Sequence, residues 1–442
     1  MNTDVPHPRL RPLEIFPIQH DGQTMFALRD PEGFTSTAVL PYGGALLATL
    51  MDGTRSLAQL QDAFRQQSGH SVSLLELQRL VANLGEALLL DDERFARRRD
   101  VQLADYLAAP VRPAAHAGGA YADQPTALRA QLDALFTHES GPGAVDGHAN
   151  DRSNNGNPTG NGDRPAPRLR GVLSPHIDLH RGGPAFAWAY KRLAEQSDAD
   201  TFVVFGTAHG PMRSLFSVSR KDFATPLGRV ATDQQYIDLL AAAWDNAESE
   251  SAAPIGSLFD DEPAHRNEHS IEFQVLFLQY LFGEQRPFRV VPILTGSFHQ
   301  LIATRREPLE HPAVSRMVES LRSAEPQFTE ATGRRVAYVS GGDLAHIGQR
   351  FGDPDLLTPE RLDAQSQSDH TLLERACRGN AADFFAHVAE EADRNRICGL
   401  SPTYTMLCAM GSTTGELLAY DQAVERDGSS CVSFASAAFY QA

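Results

Sequence analysis

Leu57, Leu60 and Phe64 recur at helical spacing, and Leu77, Leu80, Val81, Leu84 and Leu88 form a second apolar stripe. Each stripe follows a hydroxyl with an amide or acid three residues on, in Ser56-Leu-Ala-Gln59 and Ser73-Leu-Leu-Glu76. That is the capping-box pattern, in which side chain and backbone at a helix start satisfy each other's donors. Two short amphipathic helices ending at Leu88-Leu89-Leu90-Asp91-Asp92 predict a small helix-turn-helix or winged-helix-like α+β module over residues 12–100. Stripes of this kind serve core packing.

From Arg168 the pattern changes. Thr201-Phe-Val-Val-Phe205, Phe288 to Leu294 and Val336-Ala-Tyr-Val-Ser340 are short β-branched and aromatic runs, separated by helical stretches such as Ile271 to Phe282. Strands alternating with helices predict an α/β sheet. Between the two patterns, residues 139–167 hold Gly141-Pro-Gly-Ala and the Asn/Gly-rich run from Asn150 to Asp163. A segment with so little to bury cannot offset its ordering entropy, so a disordered insertion or linker is expected there.

Composition narrows the setting. The 442 residues suffice for two or three domains, and 42% hydrophobic with 21% charged residues is ordinary for a globular protein. A formal charge of −17 repels polyanions, and the one basic run, Arg97-Arg98-Arg99, reads as a solvated helix end. Nucleic-acid binding is therefore not expected. Met1 to Arg11 lacks the apolar core of a secretory signal, and Thr37 to Met51 is broken by Pro41, Gly43 and Gly44. A bilayer span needs about 20 apolar residues. Four cysteines make no disulfide framework. A cytoplasmic protein without membrane contact is expected.

The chemistry gathers where strands end. Val172-Leu-Ser-Pro-His176 and Phe202-Val-Val-Phe-Gly-Thr-Ala-His209 both run into a histidine, and Val336 to Ser340 runs into Gly341-Gly342-Asp343-Leu-Ala-His346. Ligands of open α/β sheets collect at the carboxyl ends of strands, so three such groups point together to a site. In Glu268-His269-Ser270-Ile271-Glu272, His269 and Glu272 share one helical face. His265 and His269 are also four apart, but Arg266 stands where a zinc protease needs its general-base Glu, which sets that reading aside.

These blocks, with Thr225-Pro-Leu227, Val291-Pro-Ile-Leu-Thr-Gly296, Gly342 to Phe351 and Arg396-Ile-Cys398-Gly399, occur in an order that resembles the Memo family, known in prokaryotes as protein B of the AmmeMemoRadiSam system. His116-Ala-Gly-Gly-Ala-Tyr121 looks like the start of the family's domain, so the resemblance extends over about residues 112–442. The domain is then expected at 110–442, with the Asn/Gly-rich insertion inside it. The Gly53 turn and the two helices after it resemble PqqD-like modules, found beside radical-SAM and peptide-modifying systems.

The resemblance implies a central sheet with flanking helices, similar to class III extradiol dioxygenases. It also implies iron or copper held by two histidines and a cysteine, here His176, His209 and Cys398. A thiolate with two imidazoles suits Fe(II), Cu(I) or Zn(II), and three protein ligands leave a position open. Gly399 is expected to lend the Cys398 loop backbone freedom. His269, Glu272, Asp343 and His346 are the candidate catalytic groups, and His116 a further polar liner. The chain departs from the family at Gly210, at Asp178 and His180, and at Ala345. The expected function is a redox-active metal protein working with a radical-SAM partner and other members of that system. The alternative is a non-enzymatic adaptor that binds a peptide or partner, the N-terminal module taking the peptide. Catechol cleavage is disfavoured, since a thiolate replaces the carboxylate that such iron sites use.

Overall fold

The computed structural model describes residues 7–20, 22–145, 168–246 and 256–442. It divides into two units, Met1–Ala109 and Pro110–Ala442.

The first unit opens with a three-stranded antiparallel sheet, β1 (Glu14–His20), β2 (Gln23–Arg29) and β3 (Ala38–Pro41). Four helices follow: α1 (Tyr42–Leu50), α2 (Leu57–Ser68), α3 (Leu74–Glu86) and α4 (Glu93–Ala108). The sheet had left no alternating signal strong enough to be read beforehand. Both capping boxes form, at Ser56 and Ser73, and Gly53 turns the chain at φ +83°. Leu60, Phe64, Leu77, Val81 and Leu84 are buried with Leu28 and Leu89 in one core. The arginine run lies within α4 rather than at a helix end, where Arg97 pairs with Glu93 one turn away.

The second unit contains β4 (Val111–Arg112), α5 (Pro125–Thr137), β5 (Leu169–Ser174), α6 (Leu179–Gln196), β6 (Thr201–Thr207), β7 (Phe216–Val218), β8 (Asp222–Thr225), β9 (Gly228–Val230) and α7 (Gln234–Asn246). It continues with α8 (His269–Phe282), β10 (Arg289–Thr295), α9 (His299–Thr304), α10 (Pro312–Thr332), β11 (Val336–Gly341), β12 (His346–Ile347), α11 (Pro359–Cys377), α12 (Ala381–Glu390), α13 (Leu400–Met410), β13 (Thr413–Val424) and β14 (Cys431–Gln441). The main sheet runs β12-β14-β5-β11-β6-β10-β7, with β13 paired to β14, and β5, β11, β6 and β10 are parallel.

Parallel strands in such a sheet are covered on both faces. In β6, Val203 and Phe205 face a core with α7, α10 and α13, while Phe202 and Val204 face one with α6 and α8. This explains the unbroken apolar runs. The long β13–β14 hairpin, antiparallel to β5, was not expected; much of β13 faces solvent, so its sequence carries a mixed pattern.

Of the expected insertion, residues 139–145 lie against α6. Trp188 Nε1 donates to the Ser140 carbonyl (2.9 Å), and Lys191 Nζ donates to those of Pro142 and Ala144. Residues 146–167 fall outside the described residues. Among the described residues no helix is long and apolar enough to cross a membrane.

Candidate metal centre

Because β11 inserts between β5 and β6, the three strand-end groups become neighbours at one sheet edge. His176 stands two residues past β5, Asp343 two past β11 and His209 two past β6. Cys398 arrives from the loop before α13. Gly342 and Gly399 make that approach possible. A Cβ on Gly342 would lie 2.5 Å from the Gly399 Cα, and one on Gly399 2.6 Å from the Asp343 carbonyl oxygen. Gly399 has φ −76°, so close approach, not the expected backbone freedom, is its physical role. The loop is latched by Gly399 N donating to the Asp343 carbonyl (2.8 Å) and by Thr207 Oγ1 donating to the Cys398 carbonyl (2.9 Å). Arg396, left-handed at φ 54°, is held by donating to the His346 carbonyl and to Asp353.

One donor atom from each of His176, His209 and Cys398 lies within 4.8 Å of the others. His176 Nδ1–H donates to the Gly341 carbonyl (3.0 Å), which leaves the Nε2 lone pair 3.2 Å from Cys398 Sγ. Bond lengths of about 2.0–2.1 Å to nitrogen and 2.3 Å to sulfur place tetrahedral neighbours about 3.5 Å apart, close to this separation. His209 Nδ1–H donates to Glu268 Oε1 (3.0 Å), which leaves Nε2 as the ring nitrogen available to a metal. Two imidazoles anchored through Nδ1 beside a thiol are an arrangement a metal ion can use, any proton on Nε2 leaving as the ion binds. The residues present fit such an ion.

The electrostatics follow from burial and neighbours. Burial first, then the charge on His209, pushes His176 down to about 3. For His209, burial would lower the pKa, but the hydrogen bond and charge of Glu268 outweigh it and raise it. Its ring is crowded on one side while the side chain remains 42% exposed at the mouth. The Cys398 thiol is pushed well above its usual value by burial, then by the Asp343 charge. A cation in contact would reverse that balance.

Glu268 is the residue that sequence reasoning passed over. It caps α8 by accepting from Ser270 N (2.9 Å), and it takes both the backbone N–H (2.8 Å) and the ring N–H of His209. Burial opposes its charge, but His209 outweighs burial and holds the carboxyl well below its usual range. Its position directly before a helix, as an acid able to cap it, was the available signal.

His269 stacks on His209 (ring centroids 4.6 Å apart) and meets His176 and His116 edge-on. Burial is the main cause that holds it down to about 3. His116 donates from Nε2 to the Asn267 carbonyl (2.9 Å). Asp343 Oδ1 accepts from His176 N (2.9 Å) and Ile177 N, fixing the β5 end rather than orienting His346 as a simple pair. His346 Nδ1–H is shared by the Leu344 and Arg396 carbonyls, and its ring lies with Asp343 and Cys398 in an adjoining group of possible donors.

Glu272 is not free for proton transfer. Its oxygens accept from Arg112 Nη1 (2.5 Å), Ala115 N, His116 N and the Tyr121 hydroxyl, so it anchors the 112–121 segment. Asp178 pairs with Arg181 and His180 is exposed, and neither joins the groups of possible donors. A Cβ on Gly210 would meet open space, whereas Ala345 is buried in the main core.

Residues 112–438 match the family described as Memo-like protein. A MEMO1 family protein of Aquifex aeolicus is 27% identical over 420 residues, covering 94% of this chain and 96% of its own length. An alignment of that extent has to run through most of the first unit. A MEMO1 family protein of Methanopyrus kandleri is 30% identical over 334 residues, 74% of this chain and 98% of its own length.

Proposed function

The chain belongs to the Memo-like protein family, and from that membership we propose that its second unit holds one metal ion, iron or copper, on His176, His209 and Cys398. Zinc suits the same donors but has no redox chemistry. When bound, the ion supplies one-electron chemistry and an open position for a small ligand.

The chain's own groups do the rest. Glu268 orients His209, and Asp343 fixes the turn that carries His176. His346, with Nδ1 committed to carbonyls, takes and returns a proton at Nε2. His269, a poor base, orients a bound molecule by hydrogen bonding. The observation that supports this reading most is the pair of imidazoles anchored through Nδ1, with His176 Nε2 3.2 Å from the Cys398 thiol and a ring nitrogen of His209 within 4.8 Å of both. Metal analysis of anaerobically purified wild type, His176→Ala and Cys398→Ser tests it: bound metal drops in both variants, and unchanged content in both refutes the site.

We place the protein beside a radical-SAM partner, a role that rests on the likeness to AmmeMemoRadiSam protein B and is checked by affinity purification from its own cells. The first unit is proposed as a PqqD-like, winged-helix-like module that takes a peptide or partner. The second reading, a non-enzymatic adaptor, is favoured by exposed apolar side chains on that unit, among them Val39, Tyr42 and Leu75. Val39→Lys with Tyr42→Lys abolishes partner capture on that reading while metal content stays unchanged.

A further inference from the structure

A guanidinium is buried in the second unit without touching any of the three donors. Arg112, on β4, is 0% exposed. A fixed charge at such depth is costly unless its donors are filled. Its Nε donates to the His265 carbonyl (2.6 Å), Nη2 to the Glu268 carbonyl (2.7 Å), and Nη1 to Glu272 Oε2 (2.5 Å) and the Pro113 carbonyl (3.0 Å). Its Cζ lies 5.0 Å from the centre of the Phe223 ring, on the neighbouring strand β8.

One planar side chain thus ties together the start, middle and end of the 265–272 segment. The middle carries Glu268, whose carboxylate receives both N–H groups of His209. If the 265–268 turn moves, that carboxylate moves with it, and the His209 ring loses the partner that fixes its tautomer. We propose that Arg112 is a positioning residue: it sets Glu268 against His209, so metal affinity depends on a guanidinium that touches neither metal nor substrate. This rests on the metal reading above.

Lysine discriminates positioning from charge alone. An ammonium keeps a positive charge near Glu272 but cannot bridge the His265 and Glu268 carbonyls in one plane. Arg170 is the control, another largely buried arginine, paired with Glu325 at the opposite end of β5.

The test titrates the full chain with cobalt(II), read by thiolate-to-metal absorption and by d–d bands. Arg112→Lys and Arg112→Met weaken binding about 10- to 100-fold, the range for lost support of a metal ligand, and alter the d–d bands. Arg170→Met lowers the melting temperature with affinity within about twofold. In a His209→Ala background, Arg112→Lys has no further effect, because its route runs through that ring. Should Arg112→Met not fold, Arg112→Lys carries the test. Wild-type affinity and bands in Arg112→Lys, or its full loss repeated in the His209→Ala background, overturn the proposal. A wild-type chain that takes up no cobalt overturns the metal reading itself, and this inference with it.

Discussion

Glu268→Gln changes one atom, and its effect on the centre can be worked from the contacts. Three N–H groups converge on the carboxylate: His209 N at 2.8 Å, His209 Nδ1 at 3.0 Å and Ser270 N at 2.9 Å. An amide has one acceptor oxygen, so one side must turn an NH2 toward a donor. His209 Nδ1–H and Ser270 N–H share Oε1 while His209 N–H goes to Oε2, so with the amide oxygen at the Oε2 position the NH2 faces His209 Nδ1 and favours the tautomer with its proton on Nε2. That proton occupies the lone pair a metal needs. A hydrogen bond to a charged group contributes about 1.5–3 kcal/mol, and at 1.4 kcal/mol per decade that is roughly 10- to 150-fold in affinity. Losses on removing a ligand's supporting carboxylate, about 10- to 100-fold, agree. In that orientation the cap on Ser270 N is lost as well, at about 0.5–2 kcal/mol of stability. Competition against a chromophoric chelator near neutral pH measures the ratio, and circular dichroism checks the fold. A folded variant that binds within twofold of wild type would show that Glu268 does not set the His209 tautomer.

His265 gives a pH dependence. Burial first, then the charge of Arg112, holds it neutral down to about pH 3 in the fold, against roughly 6.5 in the unfolded chain. Between those values the unfolded chain binds the extra proton, so this contribution is intact above pH 6.5 and is lost as pH falls toward 3, at up to about 1.4 kcal/mol per unit. His265→Gln keeps a donor for the Ser217 carbonyl and removes the titration. Its urea midpoint therefore drops less than that of wild type between pH 6.5 and 4.5, and parallel midpoints contradict the assignment. Gly399→Ala puts a Cβ 2.6 Å from the Asp343 carbonyl oxygen, with backbone on both sides. Overpacking of this kind costs about 1–3 kcal/mol, so the melting temperature falls and metal uptake weakens as Cys398 is displaced; an unchanged melt speaks against the close-approach role.

Local chemistry was legible beforehand. Ser56 and Ser73 announced their helices because a capping box is complete within four residues. The runs ending at His176, His209 and Asp343 declared strands whose ends carry polar groups, since parallel strands buried on both faces read as continuous apolar stretches. The ordered blocks from Ser174 to Gly399 carried the family. What stayed hidden was either exposed and unpatterned, like β13, or a matter of partner choice, like Glu272.

The sequence by itself determined which segments become strands and helices, which residue types stand at the strand ends, and that a metal-capable set is present. Only the tertiary structure decided which of them meet. Cys398 reaches His176 across 222 residues because β11 lies between β5 and β6 and two glycines let a loop press on its end. Glu268 rather than Glu272 supports His209, although both sit in one short motif. Arg112 and Tyr121, far upstream, occupy the second carboxylate and leave the first to the imidazole. Periodicity reports the faces that a segment buries, but the tautomer and charge of a buried group are set by partners from elsewhere in the chain.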